Sequence, residues 1–166
     1  MLKTKIAVFV SGGGTNFEAL INAQENGKIP HGEIVLMVSS SKTAYALKRA
    51  ENHGIKSVVC SKKELGSQES FEKEILKNLE ENNIQLIVLA GFMSILSKEF
   101  TKKYENRIIN IHPSLIPSFC GEGFYGLHVH EAALKKGVKV TGATVHIVNE
   151  IPDGCLLYTS PRPRDL

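Results

Sequence analysis

Asn110 and His112 stand two apart in the stretch Asn110-Ile111-His112-Pro113-Ser114-Leu115-Ile116-Pro117. An amide donates to a carbonyl oxygen and an imidazole carries a proton near neutrality, so the pair could polarise a carbonyl and move a proton. The spacing is what joins them, because side chains two apart on an extended chain face the same side. The run over residues 107–111 reads as a buried strand, and Pro113 biases His112 toward extended geometry. Both polar groups therefore sit at the carboxyl end of a strand, where open α/β sheets bind their ligands.

A second candidate is Ser11-Gly12-Gly13-Gly14-Thr15-Asn16, which follows an apolar strand and opens a helix. Glycines there permit close backbone approach, and a helix N-terminus favours an anion. Thr15 and Asn16 add side-chain donors. A dinucleotide fingerprint would want glycine where Phe17 stands and an acid where Ser39, Ser40 and Ser41 stand. A phosphate-binding Gly-Lys-Ser/Thr run is also absent. A single phosphate, such as that of a ribose 5-phosphate, suits the loop better; a tight turn without ligand is the alternative. Asp153 lies in an Asp-Gly turn pair, which is common as a turn alone. Placed beside His112, its charge would raise the imidazole pKa and favour the protonated form.

The remaining histidines carry less. His31 and His53 lie near loops or a helix end and are expected in solvent. His128 and His130 have a metal-like spacing without a third ligand nearby, so they read as helix-entry residues. His146, within a strand, reads as a satisfied interior residue.

These groups must be positioned by a regular frame. Residues 5–10, 33–38, 57–59, 86–90, 108–111 and 140–148 are short, apolar and partly β-branched, as strands are. Between them, residues 16–26, 43–53, 68–82, 97–104 and 130–136 carry apolar residues at helical spacing. Phe71, Ile75, Leu76 and Leu79 form one such stripe. This alternation predicts an α/β protein with an open, mostly parallel sheet and helices on both faces. Residues 118–127, rich in glycine and aromatics, read as a loop after the Asn110/His112 strand. The alternation of Thr144, His146 and Val148 against Val145 and Ile147 predicts an edge or antiparallel strand with one wetter face.

The 166 residues suit a single domain with a substantial core. The formal charge of +3, from 20 basic and 17 acidic residues, is compatible with anionic small molecules but too weak to indicate nucleic acid or membrane. Cys60, Cys120 and Cys155 lack a C-x-x-C spacing and read as free thiols in a reducing compartment. The apolar start, residues 6–10, is too short for a secretion signal, and no run reaches the ~20 residues of a membrane span. A cytoplasmic location is expected.

Four stretches together resemble the folate-dependent phosphoribosylglycinamide formyltransferases. They are residues 11–16, Val-Leu-Ala-Gly-Phe-Met-Ser-Ile-Leu at 88–96, residues 110–117, and Thr-Gly-Ala-Thr-Val-His at 141–146 followed by Asp153-Gly154. The resemblance covers residues 5 to about 154 in order, and implies the Rossmann-like formyltransferase fold. It further implies transfer of a formyl group from 10-formyltetrahydrofolate to the amine of 5-phosphoribosyl-glycinamide in purine synthesis. Carried over residue by residue, Gly14, Thr15 and Asn16 match the substrate-binding positions. Met93, Ser94, Ile95 and Leu96 match the folate-binding segment, and Asn110, His112 and Asp153 the catalytic group. Asn110 also borders the folate. No metal is implied, and the implied partners are small molecules, without nucleic acid or membrane, in a monomer or weak homodimer.

Two departures accompany the resemblance. Gln68 stands where many relatives carry an arginine near the folate carboxylate. After Gly154 the family continues into another strand and a long helix, whereas this chain reads Cys155-Leu-Leu-Tyr-Thr-Ser-Pro-Arg-Pro-Arg-Asp-Leu166. That ending resembles the peptide encoded by a sequencing-library adapter read in frame, and its prolines oppose regular structure. Residues 1–154 are accordingly expected to form a formyltransferase domain truncated at its C-terminus, and 155–166 a non-native tail. The truncation is expected to expose an apolar patch and a sheet edge and to lower stability. Alternative readings are a formyltetrahydrofolate deformylase, another folate-dependent formyltransferase, or an inactive phosphate-binding fragment.

Overall fold

Ile6, Ala7, Val8, Phe9 and Val10 are all buried, as a continuous apolar run must be when a strand is covered on both faces. They belong to β1 (Thr4–Val10), the centre of the sheet. The computed structural model describes residues 2–121, 123–148 and 155–163, the last nine as backbone only. After β1 the chain runs through α1 (Thr15–Glu25), β2 (Gly32–Ser39), α2 (Ala46–Asn52), β3 (Lys56–Val59), α3 (Lys62–Leu65) and α4 (Gln68–Glu81). It continues through β4 (Leu86–Leu89), α5 (Lys98–Lys103), β5 (Ile108–His112), α6 (Leu127–Lys136), β6 (Val140–Ile147) and β7 (Cys155–Pro163).

The seven strands are ordered β3-β2-β1-β4-β5-β6-β7. Strands β1 to β5 pair in parallel, and β6 and β7 are antiparallel additions. The alternation of side chains along β1 divides the core in two. Ile6, Val8 and Val10 pack with Phe17 and Ile21 of α1 and Ala46 and Ala50 of α2. Ala7 and Phe9 pack with Phe71, Ile75 and Leu79 of α4 and Phe100 near the start of α5. Helices thus cover both faces, as the alternating pattern predicts. The stripe read from residues 68–82 is the buried face of α4, and Ser67 caps its start by accepting the Ser70 N–H at 3.0 Å.

The order matters for function. The chain leaves β1 toward β2 on one side and later returns to β4 on the other. The carboxyl ends of β1 and β4 therefore flank a topological switch point, where a crevice forms. Strand β5, with Asn110 and His112, is next in line.

The antiparallel expectation for β6 holds; its wetter face and the irregularity expected of the C-terminal segment are corrected. Strand β6 is antiparallel, but its polar side is not wet: Thr144 and His146 are buried. They lie opposite His112 and Asn110 in register; His146 bonds Asn110 across the strands, while Thr144 and His112 are satisfied by the loop after β5. Strand β6 is also not an edge, because Cys155–Pro163 pairs along it from Val140 to Ile147. The prolines of that segment oppose regular structure only where a ladder N–H is required. Pro161 and Pro163 fall on the outermost strand of the described sheet, the position that tolerates them.

Candidate active site

Three loops meet at the carboxyl ends of β1, β4 and β5. The first, residues 11–14, turns into α1 at Gly14, whose backbone is left-handed (φ 71°, ψ 31°). A Cβ at Gly14 would lie 2.7 Å from the Ala46 Cβ, so the turn needs glycine for both its torsion and its closeness to α2. Thr15 and Asn16 are exposed in the first turn of α1, at the end of the helix dipole that attracts anions. Arg49 of α2 holds the loop from behind, donating Nε–H to the Gly13 carbonyl (2.8 Å) and pairing with Glu18 of α1 (3.0 Å).

The second loop follows β4. Phe92 turns inward, edge-on to Phe9 with ring centroids 5.1 Å apart, and Leu96 packs on the same core. Met93 and Ile95 consequently turn outward and are 54% and 87% exposed, with half-buried Ser94 between them. The two loops are joined directly. Ser11 Oγ accepts the Met93 N–H at 2.7 Å and the Ser40 hydroxyl at 2.6 Å, while the Ser11 N–H donates to the Gly91 carbonyl at 3.1 Å.

The third element is the end of β5. The Asn110 Nδ2 lies 3.0 Å from His146 Nε2. An amide nitrogen has no lone pair to offer, so the amide donates and this ring nitrogen accepts. His112, buried, has its Nε2 2.9 Å from the Phe119 carbonyl, which can only accept, so Nε2 carries a proton. The loop that supplies that carbonyl is tied down in turn. Ser114 donates to the Ser118 carbonyl (2.5 Å), and Thr144 of β6 donates to the Ser114 carbonyl (2.7 Å) and accepts the Ile116 N–H (3.1 Å). The loop after β5 is thus a support that orients the His112 ring.

Gly14 thus closes one loop, Thr15 and Asn16 open the helix after it, and Met93 to Leu96 share the adjoining loop. Asn110 and His112 lie on one face of β5. Asp153 lies outside the described residues. Gln68 is on the first turn of α4, with its amide turned to the Ile95 carbonyl (3.0 Å) and to Glu72 (2.5 Å). Sequence reasoning named Ser11 only as part of its loop and gave no role to Ser40, Arg49, Glu72 or the link from His146 to Asn110. Only register could have signalled the last, since Asn110 and His146 are cross-strand partners.

His128 sits in α6 with its ring edge-on to Tyr125 and Nδ1 3.5 Å from Glu131, consistent with a helix-entry role. His53, expected in solvent, instead bridges α2 to α1 through Glu25 (2.9 Å) and Glu18 (3.1 Å). The bonds to Glu25 and Glu18 raise its pKa, and those from Arg49 and His53 lower that of Glu18. A raised folded-state pKa means that the protonated bridge stabilises fully below the unfolded value of about 6.5 and fades as pH rises through the folded one. The melting temperature should therefore decline more between about pH 6 and 8 in the native protein than in His53→Asn. Parallel pH profiles would exclude the bridge as a contributor. Cys60 is buried, which pushes its thiol up to about 11 and leaves it a packing residue.

Fold and site together define a doubly wound α/β protein with a glycine-rich loop, an exposed apolar ledge and an Asn/His pair at the carboxyl ends of β1, β4 and β5. Residues 4–160 match the family model described as Formyl transferase, and the chain belongs to that family. It is 44% identical over 162 residues to the trifunctional purine biosynthetic protein adenosine-3 of Gallus gallus, covering 97% of this chain and 16% of that protein. It is 39% identical to the phosphoribosylglycinamide formyltransferase of Haemophilus influenzae, covering 90% and 68%, and 35% identical to the chloroplastic one of Arabidopsis thaliana, covering 89% and 51%. Among solved structures, glycinamide ribonucleotide transformylase 1 from Geobacillus kaustophilus superposes with a TM-score of 0.89 at 35% identity, covering 98% of this chain and 84% of that one. The phosphoribosylglycinamide formyltransferase from Bacillus halodurans gives 0.87 at 37%, covering 98% and 81%. The chain spans about half the length of the Arabidopsis relative and a smaller share of the Gallus protein.

Proposed function

We propose that this chain transfers the formyl group of 10-formyltetrahydrofolate to the amine of 5-phosphoribosyl-glycinamide, a step of purine synthesis. One observation carries the reading: the Ser11 Oγ to Met93 N–H bond places an anion-ready loop directly against an exposed apolar ledge. Gly14, Thr15 and Asn16 hold the phosphoribosyl end. The outward Met93 and Ile95, with Ser94 and Leu96 beneath, suit the flat face of a pterin. Gln68 lies at the far end of the same ledge.

The amine attacks the formyl carbon, a C–N bond forms, and charge collects on the formyl oxygen. Asn110 and protonated His112 donate to that oxygen. With Nε2–H held by Phe119, the other ring nitrogen of His112 serves the reacting atoms. Asp153 relays the amine proton, through water, to the folate nitrogen as the C–N bond to it breaks. We further propose a formyltransferase domain over residues 1–154, a tail over 155–166 that is foreign to it, a cytoplasmic location, and a monomer or weak homodimer acting on small molecules.

The test is tetrahydrofolate release from 10-formyltetrahydrofolate with and without glycinamide ribonucleotide. Release that requires the ribonucleotide is expected. Release without it would replace this reading with the deformylase, and no release from folded protein would leave a phosphate-binding fragment.

A further inference from the structure

Glu72 is a charged side chain only 7% exposed, inside the core face of α4 next to Phe71 and Ile75. A buried carboxylate is costly unless its oxygens are satisfied. Here three donors converge on it. One oxygen accepts the Ser97 N–H (2.6 Å) and the Gln68 amide (2.5 Å), and the other accepts the Ser97 hydroxyl (2.5 Å). Among the described residues no cation pairs with it, so its charge is carried by these hydrogen bonds. Ser97 passes the restraint on, because its Oγ also accepts the Phe100 N–H as the cap of α5. Gln68, oriented by Glu72, reaches the Ile95 carbonyl.

We infer that Glu72 and Gln68 form a brace that sets the shape of the Met93–Leu96 ledge, making Glu72 a positioning residue for the folate and Gln68 an internal strut rather than a contact to the folate carboxylate. The ledge is then fastened at three places: Met93 by Ser11, Ile95 by Gln68, and Ser97 by Glu72. With its backbone held, Met93 and Ile95 can stay outward without ligand. An arginine at position 68 would extend past the brace; glutamine is short enough to bond both Glu72 and the loop. This inference rests on the folate reading given above for the ledge.

Glu72→Gln and Gln68→Ala, in the full chain, test the brace. Without any ligand, amide exchange across residues 93–97 should quicken roughly tenfold or more in both, as expected when hydrogen bonds to a charged group are weakened. In turnover, KM for 10-formyltetrahydrofolate should rise roughly tenfold, with kcat and KM for glycinamide ribonucleotide changed less than about threefold. A formyl folate analogue lacking the terminal glutamate should lose as much as the intact folate. Unchanged exchange would overturn the brace, and so would a loss confined to the glutamate-bearing folate, which would make Gln68 a carboxylate contact. If Glu72→Gln fails to fold, Gln68→Ala alone decides, being on the first turn of its helix. Ribonucleotide-dependent turnover absent in the native protein would sink the proposed function instead, while the exchange measurement would still decide the brace.

Discussion

Replacing His112 by alanine is expected to lower kcat on the order of 10²–10³-fold, the usual loss when one donor to a developing oxyanion is removed. The structure makes the expectation specific. The ring is buried, its Nε2 proton is committed to the Phe119 carbonyl, and the loop bearing that carbonyl is anchored to Thr144 through Ser114 and Ile116. The imidazole is therefore held in one orientation before substrate arrives. His112→Ala would also leave the Phe119 carbonyl with only the longer Ser114 hydroxyl contact (3.4 Å), at a cost of about 1 kcal/mol. His112→Gln separates the two effects, since its longer amide can reach the carbonyl that Nε2 serves but cannot transfer a proton as an imidazole does. Both variants should be slow, with the glutamine variant melting nearer to the native protein. Turnover of either folded variant within threefold of native would remove His112 from the chemistry.

Substituting Gly14 by valine should damage stability and substrate binding together. Its φ of 71° is the left-handed conformation, which costs a β-branched residue about 1–3 kcal/mol. The added Cβ would stand 2.7 Å from Ala46 Cβ and 3.1 Å from its Cα, and backbone cannot simply step aside. Relief requires moving the start of α1 away from α2, which displaces Thr15 and Asn16. KM for glycinamide ribonucleotide should rise at least about tenfold, with a loss of roughly 2–4 kcal/mol in unfolding free energy. Gly13→Ala is the stability control, because nothing lies within 4 Å of a Cβ there. Equal denaturation midpoints for the two variants would show that the close approach to Ala46 is immaterial.

Much of this protein is determined by local pattern. Strand and helix periods, read from one residue type after another, placed β1 to β6 and the longer helices within a few residues. They did so because burial on two faces imposes continuous apolar runs and burial on one helix face imposes a 3.6-residue stripe. The Asn110/His112 spacing was legible for the same reason: two residues apart on a strand is a geometric fact independent of the rest of the fold. What sequence could not decide were contacts between distant residues. Ser11 meets Met93 from 82 residues away, Glu72 meets Ser97 from 25, and Asn110 meets His146 from 36. No periodicity encodes them, because each depends on which strands become neighbours and in what register. The buried polar side of β6 and the pairing of Cys155–Pro163 are of the same kind. Alternation predicts that a strand has two faces, but only the sheet around it decides which face meets water and whether a proline falls where a ladder needs an N–H.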